Sequence, residues 1–121
     1  RYSYIYYHGR KLVDGLNQTR ILRFVINGQA IAKDPMCNFD KIVKGTSGYL
    51  KAQFSFSSEW NGCKIAASFW SLGKEYAAIL KNGECFIPEE ALQWNNFGVS
   101  VTGIRGKYKI KTNQIRINQE E

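Results

Sequence analysis

Histidine is nearly absent from this sequence, and that scarcity limits the chemistry open to it. His8 is the only histidine among 121 residues. A Ser-His-Asp or Cys-His catalytic group would have to use that one side chain. Zinc sites usually take cysteine or histidine ligands in close pairs, whereas Cys37, Cys63 and Cys85 lie 26 and 22 positions apart. The sequence therefore predicts a protein that is not an enzyme and that has no catalytic site, no metal site and no cofactor.

Cysteine is also too sparse for a disulfide framework, which favours an even number at tight spacing. We expect three free thiols in a reducing compartment, with Cys63 and Cys85 buried.

Long apolar runs are missing too, since no stretch approaches the roughly 20 residues that span a bilayer. Residues 1–7 lack the aliphatic core and cleavage site of a secretory signal. We therefore expect no membrane partner.

The residues that are present indicate a single β-rich globular domain. Hydrophobic residues make up 44 % of the chain and charged residues 22 %, and both values are ordinary for a folded domain. Aromatic residues reach 14 %, which favours strands over helices. The net charge of +7 permits an anionic partner without specifying one.

Alternating apolar residues and regular turn signals predict about seven to nine short strands, as in a β-sandwich or a small barrel. Asn27-Gly28 between two apolar runs predicts a hairpin whose two central residues have positive φ. The strands near residues 50–56, 63–69, 76–80 and 85–87 look like an antiparallel meander. Pro88 to Trp94 is the one helical segment that the sequence predicts. The core is predicted to include Phe54, Phe56, Phe69 and Val99.

Residues 1–19 differ in composition from the domain predicted at residues 20–121. Four of the seven tyrosines, Tyr2, Tyr4, Tyr6 and Tyr7, fall within six positions. Tyrosine is enriched at protein interfaces, so these side chains are predicted to contact a partner. The segment is either an extra edge strand or an arm that adds a strand to a neighbouring copy.

The C-terminal third is strongly basic, because no acidic residue lies between Glu90 and Glu120. Its five cations are predicted to contact an anion or a nucleic-acid backbone, with three lysines on one strand face. They are Arg105, Lys107, Lys109, Lys111 and Arg116. The alternative is a solvated strand face whose lysines prevent edge-to-edge aggregation. Tyr108 is expected on the opposite face, which weakens the case for base stacking.

Trp60 lies in a predicted turn and is the best candidate for an exposed aromatic contact, to a protein or a sugar. The alternative is a tryptophan that closes one end of the core.

The central part of the chain contains a run of strand and turn residues with a family resemblance. The run is Phe54-Ser55-Phe56-Ser57-Ser58-Glu59-Trp60-Asn61-Gly62, followed by Cys85-Phe86-Ile87-Pro88-Glu89-Glu90-Ala91-Leu92 and Phe97-Gly98-Val99-Ser100-Val101-Thr102-Gly103. It resembles small tail-associated proteins of phages of Gram-positive gut bacteria, and the immunoglobulin-like N-terminal modules of phage baseplate upper proteins. The resemblance covers residues 22–117 and leaves residues 1–19 outside it.

The resemblance implies an antiparallel, immunoglobulin-like β-sandwich with one short helix, and no catalytic residues. It implies a structural or adaptor module of the virion, made in the host cytoplasm, whose partners are other phage structural proteins and copies of itself. Two alternatives remain open. One is a phage accessory protein that binds nucleic acid or an acidic host defence protein. The other is a carbohydrate-binding module for host adsorption.

Overall fold

The computed structural model describes residues 5–7, 10–12 and 18–121, with side chains from residue 18 onward. The described residues form eleven strands and two short 3-10 helices. The strands are β1 (Ile5–Tyr7), β2 (Arg10–Leu12), β3 (Arg20–Asn27), β4 (Ala30–Lys33), β5 (Leu50–Phe56), β6 (Lys64–Ser71), β7 (Lys74–Ile79), β8 (Glu84–Phe86), β9 (Asn96–Arg105), β10 (Tyr108–Lys111) and β11 (Ile115–Asn118). The protein is therefore all-β, as the sequence predicts.

The strands of residues 20–118 form two sheets. The first has the order β10-β9-β6-β7, and β11 also pairs with β9, which makes it five-stranded. The second is four-stranded, with the order β4-β3-β5-β8. β1 and β2 pair antiparallel in a two-stranded sheet of their own, with Ile5 opposite Leu12.

The predicted meander is wrong, because the chain changes sheets twice within it. β5 belongs to the four-stranded sheet, β6 and β7 to the five-stranded sheet, and β8 returns to pair with β5. Alternation in a sequence shows which residues of a strand are buried, but it does not show which neighbour the strand pairs with.

One strand pair departs from the predicted antiparallel architecture. β3 and β5 run parallel, with Phe24 opposite Phe54. A parallel pair needs a crossover connection, and β4 with the loop at residues 34–49 supplies it. The guanidinium group of Arg20 holds that loop, since it donates hydrogen bonds to the carbonyl oxygens of Asn38, Asp40 and Lys41 at 3.0, 2.6 and 3.0 Å.

The inward-facing side chains of the two sheets form one hydrophobic core. Phe54, Phe69 and Val99 are buried as the alternation predicts, whereas Phe56 is half-buried and packs at the core's edge. Phe54 stacks on Phe24 with ring centroids 5.2 Å apart. The predicted inward-facing sides of these strands are therefore confirmed.

The Asn27-Gly28 hairpin forms one residue later than the sequence suggests. Asn27 pairs with Ala30, so the central residues are Gly28 and Gln29, and Gly28 has φ +59°. Two contacts fix this position. The Gly28 amide donates to Ser57 Oγ at 2.8 Å, and the Gly28 carbonyl accepts from the Trp60 indole at 2.8 Å.

The predicted helix at Pro88 to Trp94 is only one 3-10 turn, Glu89–Leu92, with Pro88 as its N-cap residue. Ala91 and Leu92 are fully buried, whereas Trp94 is 45 % exposed. The segment is short because β9 begins at Asn96, which leaves no room for an amphipathic helix.

Candidate protein-interaction surface

The outer face of the five-stranded sheet gathers side chains from four strands. The pairing registers place these outward-facing residues in rows that cross the strands. One row is Lys64, Ile104 and Lys109, and the next is Ile79, Ala66, Thr102 and Lys111. We call these seven residues the outer patch.

The middle of the outer patch is apolar and open to solvent. Ile79 is 80 % exposed and Ile104 is 50 % exposed. They flank the short side chains of Ala66 and Thr102, which leaves a shallow depression of about 550 Å³. Exposed apolar surface inside a polar frame is typical of a binding site for another macromolecule.

The frame of the outer patch is cationic. Lys64, Lys109 and Lys111 are exposed. Arg116 is also exposed on this sheet face, but it lies beyond the patch, in the row of Gly98 and Trp70. In residues 18–121, the carboxylates that lie within 4 Å of a cation are those of Glu84 and Glu121, which pair with Lys51 and Lys44. The positive charges of this face are therefore available to an outside group.

The far end of the same face is occupied by polar contacts within the sheet. The Trp70 indole donates to Ser100 Oγ at 3.1 Å, and Ser68 donates to the Glu75 carboxylate. Ser68 is only 6 % exposed, although it faces outward. The large exposed apolar side chains of this face, Ile79 and Ile104, therefore lie at the end of the sheet that carries the outer patch.

Three of the five basic residues singled out in the sequence share this face: Lys109, Lys111 and Arg116. Lys107 lies in the turn before β10 rather than on the strand. Arg105 is held locally, because its guanidinium carbon lies 4.3 Å from the centroid of the Tyr108 ring and it donates to the Asn61 carbonyl.

Lys64 is a member of the patch that the sequence analysis missed. It lies 45 positions before Lys109, and the pairing of β6 and β10 with β9 brings the two together on either side of Ile104. The signal available in the sequence was its outward position within an alternating strand, which does not identify the neighbouring strand.

Trp60 is 2 % exposed and closes one end of the core. This agrees with the alternative interpretation of Trp60 rather than with an exposed aromatic contact. Its ring lies 5.3 Å from that of Phe56 and against Gly103. A buried indole presents no face to a sugar or a partner, so the carbohydrate-binding alternative loses its best candidate residue.

The predicted tyrosine contacts fall largely beyond what the structure describes. Tyr2 and Tyr4 lie outside the described residues. Tyr6 and Tyr7 belong to β1, where their backbones pair with Lys11 and Arg10.

The outer face of the four-stranded sheet has a different character, because its cations contact polar side chains of the same sheet. Lys51 forms a salt bridge with Glu84 at 3.1 Å and lies 5.0 Å from the centroid of the Phe86 ring. Arg23 donates to the Gln53 amide oxygen. This face therefore offers less unbalanced charge than the outer patch.

Cys37, Cys63 and Cys85 are free thiols, as predicted, but Cys63 and Cys85 are half-buried rather than buried. Burial, with a smaller contribution from the Glu84 charge, raises the pKa of Cys85 to about 12. Only thiolate is a strong nucleophile. Cys85 in the folded protein should therefore react far more slowly with iodoacetamide at pH 8 than Cys85 in urea, where a thiol has a pKa of about 8.5.

Peptide mapping by mass spectrometry measures the alkylation rate of each cysteine separately. The alkylation rate of Cys85 in the folded protein should rise steadily as the pH approaches 12. Equal rates for folded and unfolded protein at pH 8 would contradict the raised pKa.

The residues that the structure describes lack two features. They contain no group of three or more His, Cys, Asp or Glu side chains placed to hold a metal ion. Within residues 18–121, the helical turns are too short to cross a membrane. Comparison with family models, curated proteins and solved structures found no match to the chain.

Proposed function

We propose that this chain is a structural or adaptor module of a phage particle, in the tail, the baseplate or the head decoration. It acts through protein–protein contacts, with no catalytic activity and no cofactor. The immunoglobulin-like sandwich that the resemblance implies belongs to this proposal, and two sheets sharing one core are compatible with it. The chain is made in the host cytoplasm and ends in the virion.

The observation that supports contact with protein is the outer patch. Ile79 and Ile104 belong to a sheet whose inner face already supplies the core, so their exposure adds nothing to folding. Exposed branched residues within a basic frame suit a protein surface that offers apolar and acidic side chains.

Quantitative mass spectrometry of purified particles of the encoding phage tests this proposal. The chain should be present at a fixed ratio to the major structural proteins, and the ratio should survive a high-salt wash. A chain that is abundant in infected cells but absent from washed particles would overturn the proposal.

The second candidate is binding to nucleic acid or to an acidic host protein. Lys64, Lys109, Lys111 and Arg116 on one face support it. If these four cations neutralise four phosphates of a single strand, the slope of log affinity against log salt should be about −3. Fluorescence anisotropy with a labelled oligonucleotide gives that slope, and it separates this candidate from contacts made through the apolar centre of the patch.

A further inference from the structure

We infer that β7 is a self-association edge, at which the five-stranded sheet pairs antiparallel with the same strand of a second copy. This goes beyond the proposed function, because it concerns contacts between copies of this chain rather than contacts with other particle proteins. It shares Ile79 with the outer patch but uses the open backbone edge of β7 rather than the face of the sheet.

The backbone of β7 has hydrogen-bonding groups turned away from its sheet. Leu80 donates its amide to the Ile65 carbonyl at 2.9 Å, which marks residues 65 and 80 as a hydrogen-bonded pair. Hydrogen-bonded pairs alternate along an antiparallel ladder, so Ala78 and Tyr76 also bond to β6. The amides and carbonyls of Glu75, Ala77 and Ile79 therefore point toward the open edge.

β7 is also the edge that a second strand can best use. It has six residues without interruption, whereas the other edge strands of residues 20–118 have three or four. Proline and bulges commonly protect an edge, and β7 contains no proline and pairs with β6 in continuous register. Ala77 is exposed, and Ile79 is 80 % exposed.

A second copy fits this edge because the open groups are self-complementary. If the two-fold axis passes beside Ala77, the Ala77 residues of the two copies lie opposite each other. The open amide and carbonyl of each then face those of the other. Glu75 then lies opposite Ile79, and Ile79 opposite Glu75. The open amides and carbonyls of all three residues therefore face open amides and carbonyls of the second copy. Ala77, on the axis, has a side chain small enough for the two strands to approach closely.

The charges favour the same register. Lys81 follows Ile79 by two positions and is exposed. Lys81 lies just past the end of β7, at its bridge to Glu84, and its long side chain is close enough to this end of the strand for Glu75 of the other copy to approach it. The overall charge of +7 per copy opposes association, and salt should therefore strengthen the dimer by screening that repulsion.

Sedimentation equilibrium of the full chain over a range of concentrations tests the inference. We expect a reversible monomer–dimer equilibrium that salt strengthens. Ala77→Lys places two like charges at the axis and should weaken the dimer by at least about tenfold. Ala32→Lys makes the same change on the β4 edge and should leave the dimer unchanged. A thermal melt of each variant establishes that it is folded.

Ala77→Cys supplies a second measurement that does not depend on weakening the dimer. Mild oxidation should link two copies through position 77, identified by peptide mapping, whereas Ala32→Cys should not cross-link. A wild-type chain that is monomeric at every concentration overturns the inference, as does a dimer that resists Ala77→Lys and forms no cross-link at position 77. A monomer found in particles overturns this inference alone, and a dimer absent from particles overturns the proposed function alone.

Discussion

Replacing Phe54 with alanine should lower the free energy of unfolding by about 3–5 kcal/mol. Phe54 is 4 % exposed, stacks on Phe24 and lies in the strand that links β3 to β8. Removal of its ring leaves a cavity between the two sheets, because neighbouring side chains fixed on strands cannot fill the space. Urea denaturation followed by tryptophan fluorescence measures the change.

Phe86→Ala is the matched control for this experiment. Phe86 is 49 % exposed on the outer face of the same sheet, where its described partner is the Lys51 ammonium group. Its replacement should cost less than about 1 kcal/mol. A similar loss for both variants, or a loss below 1 kcal/mol for Phe54→Ala, would contradict the assigned core.

The second large effect concerns the contact between Trp60 and Gly103. A Cβ atom at position 103 would lie 2.8 and 2.9 Å from two carbons of the Trp60 indole, and 3.1 Å from Cys63 Cβ. Real Cβ contacts are not this short, so Gly103→Ala should displace the indole and cost about 1–3 kcal/mol. Trp60→Ala should cost about 3–5 kcal/mol, since it removes a buried ring and the donor to the Gly28 carbonyl.

A double-mutant cycle links the two positions. If the indole is what excludes a side chain at position 103, the Gly103→Ala change should cost much less in the Trp60→Ala background, with a coupling of about 1–2 kcal/mol. Additive effects would contradict the contact. Trp94→Ala serves as the tryptophan control, because Trp94 is 45 % exposed and its removal should be nearly neutral.

The sequence was sufficient to predict which strand residues face the core, because burial of one sheet face imposes a period of two. It placed Phe54, Phe69 and Val99 in the core. Gly103 continues the inward alternation of β9 after Val101, and a glycine at such a position signals a bulky neighbour. The sequence does not say which residue that neighbour is, since Trp60 is 43 positions away.

Strand pairing could not be predicted in the same way. Asp34-Pro35 and the glycine- and serine-containing residues 44–48 are typical of loops, and such loops are consistent with either a return beside β4 or a crossover to the far side of β3. The structure takes the crossover, held by hydrogen bonds from Arg20 to the loop carbonyls. The outer patch depends on such pairing, because Lys64 joins Lys109 only through the β6–β9–β10 register.

The central claim is that this chain binds other particle proteins through the outer patch, and the incorporation of two charge variants tests it most directly. Ile104→Glu alters the centre of the patch, and Val25→Glu makes a comparable change on the outer face of the other sheet. Each variant is supplied to the encoding phage in place of the wild-type chain, and its copy number in washed particles is measured by mass spectrometry. The account predicts that Val25→Glu enters particles at the wild-type ratio, while Ile104→Glu stays folded but is depleted. Wild-type incorporation of Ile104→Glu would contradict it.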